Sequence, residues 1–247
     1  MKAFKTLLKT EIKLSLRDMN MPIFAIIMPF VVTVLIGMIY GGKTAYPGAP
    51  YTFLQQSFGA LVTIAICAGG VMGLPLVISG YRQKKILKRF HTTPTGPVLL
   101  LGVQLALYAL YAIVSLVLTF LAAWLLFGFH FLGSPLLFIG TYLLVMLSMF
   151  SIGLLVGGVA QDEKVASILA SVLYFPMLVF SGATLPYEVM PPILQRFADL
   201  LPLTQGIKLL KASSLGLPLG SVWFPLALLA GVAVLCTVLA VRFFRWE

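Results

Sequence analysis

The sequence predicts an all-α integral membrane protein of six helical spans, and three observations lead there. Of 247 residues, 60% are hydrophobic and 10% charged, against roughly 45–50% apolar in an ordinary soluble domain. Mean hydropathy is +1.06. Six long stretches contain no Lys, Arg, Asp or Glu: 22–40, 55–80, 98–129, 135–160, 165–185 and 221–241. A bilayer core about 30 Å thick takes roughly 20 helical residues, so each stretch can cross once. The second, third and fourth exceed that need, which leaves room for tilt or kinks. The whole of 1–247 reads as one transmembrane domain.

The first element, within 1–20, is an amphipathic helix. Phe4, Leu7, Leu8, Ile12, Leu16 and Met19 recur at three- and four-residue steps, with Lys5, Lys9, Lys13 and Arg17 four apart on another side, a pattern suited to the inner membrane surface. Contact with a cytoplasmic partner is the second use such a face allows. A basic start followed by an apolar run resembles a signal peptide, but 21 residues precede the run and no small-residue cleavage site follows, so the segment is expected to stay.

Net charge is +10, and the cations flank the spans instead of forming a nucleic-acid-binding domain. With the N-terminus inside, cytoplasmic segments hold 13 of the 17 Lys and Arg and outer segments only Lys43, Arg196, Lys208 and Lys211. The positive-inside rule therefore places both termini in the cytoplasm.

Between the second and third spans, the cytoplasmic loop 81–97 is long enough for about two helical turns. Ile86, Leu87 and Phe90 share one side of it, and Thr92, Thr93 and Pro94 end it. The outer segment 184–220 is moderately apolar, carries five prolines and offers two short helices, 193–201 and 205–213. It reads as a re-entrant or surface-lying cap whose free backbone groups face protein or water. Within the spans, Ala65, Gly69 and Gly73, and Gly153 with Gly157, form small-residue surfaces for close helix approach. Pro75 and Pro176 predict kinks in the second and fifth spans.

Catalytic chemistry is missing. Gly37, Gly42, Lys43 and Thr44 fit the phosphate-loop pattern letter for letter, but a span precedes them where a strand is required, and Pro47 and Pro50 forbid the following helix. His91 and His130 stand alone at the membrane boundaries, and Cys67 and Cys236 read as packing residues of different spans. No metal-ligand set can be assembled. Ion-coupled carriers commonly place an ionisable group inside a span despite its cost; with none here, any pumping energy is expected to enter from outside the chain.

Two segments carry a family resemblance. Leu87-Lys88-Arg89-Phe90 with Thr93-Pro94 is similar to the E-x-G-T-L-K-R-L-x-x-T-P pattern, and Phe180-Ser181-Gly182 with Pro186 and Met190-Pro191 to the F-S-G-x-x-x-P-x-x-x-M-P pattern, of ABC-2 exporter permeases. Leu201-Pro202-Leu203-Thr204 also fits. Gln83 stands where the family usually has glutamate, and Lys85 and Ile86 replace its Gly-Thr.

The resemblance implies a transport subunit that is not itself an enzyme and holds no cofactor, with ATP and Mg on a separate ATPase. That partner would dock on the N-terminal helix and on Arg82, Gln83, Lys84, Ile86, Leu87, Lys88, Arg89 and Phe90. A second permease copy or a related permease would close the pathway. An outer gate would fall on Phe180, Ala183 and Leu185, with Phe58, Tyr174 and Met177 candidates for the cavity below or for ordinary helix packing. The implied cargo is hydrophobic, amphiphilic or lipid-linked, and the implied location a prokaryotic plasma membrane. The alternative function is a stand-alone carrier or channel.

Overall fold

The computed structural model describes residues 2–91, 96–183, 187, 190–218 and 223–244. In chain order the helices are α1 (Lys2–Arg17), α2 (Ile23–Tyr40), α3 (Phe53–Gln83), α4 (Ile86–His91), α5 (Gly96–Phe127), α6 (Pro135–Val159), α7 (Glu163–Phe180), α8 (Pro192–Ala198), α9 (Pro202–Leu215) and α10 (Trp223–Phe243). Six of them, α2, α3, α5, α6, α7 and α10, are long and apolar enough to cross a bilayer. The protein is a multi-pass, all-α membrane protein. Leu125, Leu136, Trp223 and Val241 are among its most exposed side chains, which is the arrangement a lipid solvent favours.

Local chemistry sets the helix ends. The start of α3 is a capping box: the Gln55 amide donates to Thr52 Oγ1 at 3.2 Å, and the Thr52 amide donates to Gln55 Oε1 at 2.8 Å. At the start of α7, Asp162 Oδ1 accepts from the Val165 amide at 2.8 Å. The fifth span stops at Phe180 instead of running to 185, because Ser181 leads into Gly182 at φ +92, a conformation open to glycine and costly for Cβ-bearing residues. Leu185, Pro186, Thr92, Thr93, Pro94 and Ser221 lie outside the described residues.

The second span is the centre of the bundle. In its most apolar window 83% of residues are buried, against 22% in α2 and 17% in α7. It packs against α2, α5, α6, α7 and α9, while α10 packs chiefly on α6.

Two small-residue stripes let α3 sit this deep. On one side a β-carbon at Gly73 would stand 2.7 Å from the Tyr108 ring of α5. On the other, a β-carbon at Gly153 of α6 would overlap the Gly70 carbonyl oxygen, and one at Gly157 would lie 3.0 Å from Pro75 and Ile78. The Gly153–Gly157 surface thus joins two helices of the same chain.

The kink expected at Pro75 takes the form of a π-helical turn over Ala68–Gly73, and a second π-turn over Ile23–Ile27 precedes Pro29. Each proline is the second residue of the α-helix that follows its π-turn. Proline lacks an N–H and crowds the carbonyl four residues back; a wider i→i+5 turn relieves both problems while the chain stays helical. Pro176 is carried inside α7.

The Gly153 contact has a measurable cost. Gly153→Ala should destabilise the protein by about 1–3 kcal/mol through overpacking. Gly140→Ala in the same helix, where the added carbon meets nothing within 4 Å, should be neutral or slightly stabilising. Thermal unfolding of the detergent-purified variants separates the two.

Candidate functional site

At the end of α3 opposite its capping box, the chain turns twice. The Lys84 amide donates to the Gly80 carbonyl at 3.0 Å and the Lys85 amide to the Arg82 carbonyl at 2.9 Å, and Lys85 adopts φ +57, the only left-handed non-glycine residue among those described. This is the position where the resembled pattern has glycine. A lysine there carries roughly 1–2 kcal/mol of backbone strain, and α4 begins immediately after it.

The residues from Arg82 to Phe90 singled out by sequence divide into two sets. Gln83, Lys84, Lys88 and Arg89 are exposed, together with Lys85, and make a basic outer face; Ile86 and Phe90 are half-buried. Leu87 is fully buried and Arg82 is 6% exposed, so these two side chains face the protein's own interior instead of a docking surface. Arg82 Nη2 donates to the Gly158 carbonyl at 3.0 Å, Nη1 donates to the Ala160 carbonyl, and the guanidinium carbon lies 5.5 Å from the Phe244 ring centroid. The carbonyls at the end of α6, which have no intrahelical partner and carry the negative end of the helix dipole, are thereby satisfied by a cation. The turn bearing the basic face is pinned to α6 and to the segment after α10.

A second link runs through residues that sequence reasoning passed over. Tyr81 Oη donates to Glu11 Oε2 at 2.7 Å, and Gln104 Nε2 donates to Tyr81 Oη at 2.8 Å. This chain ties α1, α3 and α5 together beside the basic turn. The available signal was Glu11 itself, the one acid in a helix otherwise charged by Lys and Arg. Leu8 and Ile12 of α1 pack on the core while Leu14, Leu16 and Met19 stay exposed. The amphipathic helix is therefore anchored by one part of its apolar set and leaves another part for lipid.

At the capping-box end of α3, α9 is almost wholly buried and rises between other helices. Gly206 meets Val145 of α6, Gly59 of α3 lies against Leu210 and Lys211, and the Leu132 and Gly133 amides donate to the Ser214 carbonyl at 3.0 and 2.9 Å. Ten residues separate Val145 from the start of α6, so the beginning of α9 lies about 15 Å below that helix end. Its neighbour Asp199 accepts from Tyr187 Oη at 2.9 Å and from Lys208 Nζ at 2.5 Å.

At the end of α7, Phe180 is half-buried with its ring 5.8 Å from that of Phe197. Ala183 packs on the core, and Tyr174 and Met177 lie one turn apart on α7, half-buried and buried respectively. A pocket of about 190 Å³ opens beside Ser181 and Gly182, between α3 and α9. Phe58 is not part of it. Its ring is fully buried among Phe129, Phe138, Phe131 and Phe120, at centroid distances of 4.3, 5.6, 5.9 and 6.3 Å, and it lines a separate apolar recess of about 360 Å³. Tyr174, Met177, Phe180 and Ala183 do not line the 190 Å³ pocket either, and the rings around Phe58 come from a run of Phe residues at 120–138.

A family model described as ABC-2 type transporter matches residues 2–215. Nodulation protein J of Neorhizobium galegae is 32% identical over 98 residues, 40% of this chain and 35% of that protein. Nodulation protein J of Rhizobium leguminosarum bv. viciae is 30% identical over 97 residues, 39% of this chain and 35% of that protein. The matched stretch spans about a third of the length of these curated relatives.

The division between inner and outer cations gives opposite expectations for two sets of variants. Arg82→Gln should lower unfolding stability by about 1–3 kcal/mol, since it strips a charge-assisted donor from two buried carbonyls. Joint replacement of Lys88 and Arg89 by Gln should leave the unfolding midpoint within about 0.5 kcal/mol of wild type. Denaturation monitored by tryptophan fluorescence reports both.

Proposed function

The chain belongs to the ABC-2 type transporter family, and we propose that it is the membrane-spanning subunit of an ATP-driven exporter whose ATPase is a separate protein. One observation carries the mechanical part of this reading. An exposed basic face on the turn before α4 and on α4 itself is joined, through buried Arg82, to the end of α6, and through Tyr81 and Glu11 to α1. A push delivered to that face by a closing ATPase would move α3, α6 and α1 as one body, since the connections are hydrogen bonds among buried and half-buried groups. Gln83, Lys84, Lys85, Lys88 and Arg89 would meet the partner; Arg82 and Leu87 would pass the motion inward.

In this reading the ATPase side is cytoplasmic, both termini lie there, and the pocket beside Ser181 faces outward, in line with the distribution of Lys and Arg. A second permease, identical or related, would complete the pathway along α7, whose surface is the least buried of the six spans. Tyr174 and Met177 would border that pathway, with Phe180 and Ala183 above them and Leu185 assigned to the same gate by resemblance alone. The cargo would be hydrophobic, amphiphilic or lipid-linked, moved outward with ATP and Mg held by the partner.

The test is co-expression with a soluble nucleotide-binding cassette protein from the same source. A stable complex is expected, with ATP hydrolysis that depends on the permease, and the Lys88 and Arg89 double variant should weaken complex formation about tenfold or more while remaining folded. Transport into vesicles by the chain with no ATPase present would overturn the reading. Orientation has its own measurement: Lys43→Cys should react with an impermeant maleimide added outside intact cells, and Lys85→Cys only after the membrane is opened. Equal labelling of both from outside would refute the topology.

A further inference from the structure

A short connection usually makes consecutive helices close neighbours. Yet α5 and α6, joined through 128–134, pack mainly on other helices: α5 on α1, α2 and α3, and α6 on α3, α9 and α10. The crevice left between them is the apolar recess of about 360 Å³, with the fully buried Phe58 ring of α3 as its floor. One stripe of each helix makes a wall. Leu116 and Phe120 stand one turn apart on α5, and Pro135 and Phe138 on α6. Phe131 closes the end nearest the connection, its ring stacked on that of Phe120 at 5.7 Å. At the other end the Tyr142 hydroxyl donates to the Ala112 carbonyl at 2.8 Å. These two residues lie one turn beyond Phe138 and Leu116, so the bond draws α5 and α6 together just past the recess.

Bounded at both ends, the recess opens sideways at Val117, Leu121 and Ile139, whose side chains are exposed. These openings lie on the faces of two spans, so the medium outside them is hydrocarbon and not water. Among the described residues every lining side chain is apolar, which leaves nothing to hold a water molecule or a polar headgroup. Its volume is that of a small-molecule site, roughly 300–1,000 Å³. Left unfilled, such a gap would forfeit dispersion contacts along all its walls. The component of the surrounding medium that can enter sideways and fill it is a hydrocarbon chain.

We propose that this recess seats one acyl chain of a membrane lipid, which enters from the bilayer and completes the packing between α5 and α6. The chain lies against Phe58, Phe120 and Phe138, and the headgroup remains outside the walls and takes no part in selection. Because lipid tails are as apolar as leucine, the seat gains nothing by excluding water; it works through shape and contact alone. The inference stands apart from the export reading and needs neither an ATPase nor a direction of transport.

The full chain is placed in phosphatidylcholine nanodiscs with a trace of phosphatidylcholine carrying a diazirine on its acyl chain, irradiated, and mapped by tandem mass spectrometry. Leu125 of α5 and Leu137 of α6, exposed but outside the recess, report ordinary contact with bulk lipid. Labelling at Phe120 and Phe138 is expected to exceed theirs by about threefold, since a seated chain meets protein on several sides and not on one. Val117→Trp and Ile139→Trp, which block the mouth from opposite walls at lipid-facing positions, should each remove that excess and leave Leu125 and Leu137 unchanged. Thermal unfolding shows that each variant is folded, and two independent blocks guard against failure of one. A phosphatidylglycerol probe with the same chain should label the recess equally. Labelling at Phe120 and Phe138 no higher than at Leu125 and Leu137, whether because the recess is empty or because a second copy covers it, would overturn the proposal. So would an excess that survives both tryptophan variants, or one that depends on the headgroup.

Discussion

The approach of Gly153 onto the Gly70 carbonyl is the contact on which the rest of the bundle depends. It allows α3 to lie against α6 at backbone distance, and the Gly73 contact with Tyr108 holds the other side. Without a hydrophobic driving force between helices in lipid, such close packing is the main source of association, and it demands small residues on facing surfaces. Once α3 is buried between α5 and α6, its inner end presents Arg82 to the terminal carbonyls of α6, and its outer end presents Gln56 and Ser57 to α9. The basic turn and the pocket beside Ser181 thus sit at the two ends of one clamped rod.

The position of that rod explains why charge is distributed as it is. The apolar centres of the spans carry no Lys, Arg, Asp or Glu, yet charged groups gather at both ends of α3 and in the helix that dips beside it. Arg82 is tolerated because carbonyls and an aromatic ring surround it, and Lys208 because Asp199 and Tyr187 do. Buried Arg82 and half-exposed Lys208 are each matched locally, as a surrounding of reduced dielectric favours.

Much of this was legible in the sequence, for reasons specific to each element. Charge-free stretches of sufficient length marked all six spans, because hydropathy and length are set by the solvent. The end of the fifth span was misplaced because Ala183 and Leu185 are apolar enough to continue a helix, and only the conformation of Gly182 stops it. Arg82 looked like a surface cation because sequence lists its charge and not the carbonyls that wait for it 76 residues away. Phe58 was named with Tyr174 and Met177 through the family resemblance, as a cavity or a packing residue; its surroundings depend on four Phe rings from elsewhere in the chain. Lys208 and Lys211 were counted as outer-segment charges; the sequence left that segment re-entrant or surface-lying, and the contacts of Gly206 and Gly59 decide that α9 runs between helices. Long-range partners decide these cases, and hydrophobic periodicity does not report them.

The π-turn at Ala68–Gly73 has a consequence for how this helix tolerates changes in length. A π-turn holds about one residue more than an α-turn, and one residue is worth about 100° of rotation. Because that turn still closes about one revolution, the extra residue is absorbed locally: deleting one residue of 68–73 would let the helix recover ordinary pitch with its two halves nearly in phase. The Phe58 ring packed among its phenylalanines at one end and the Arg82 guanidinium seated on the α6 carbonyls at the other could then both stay in place. A residue removed elsewhere in α3 has no such slack and would turn one end against the other by about 100°.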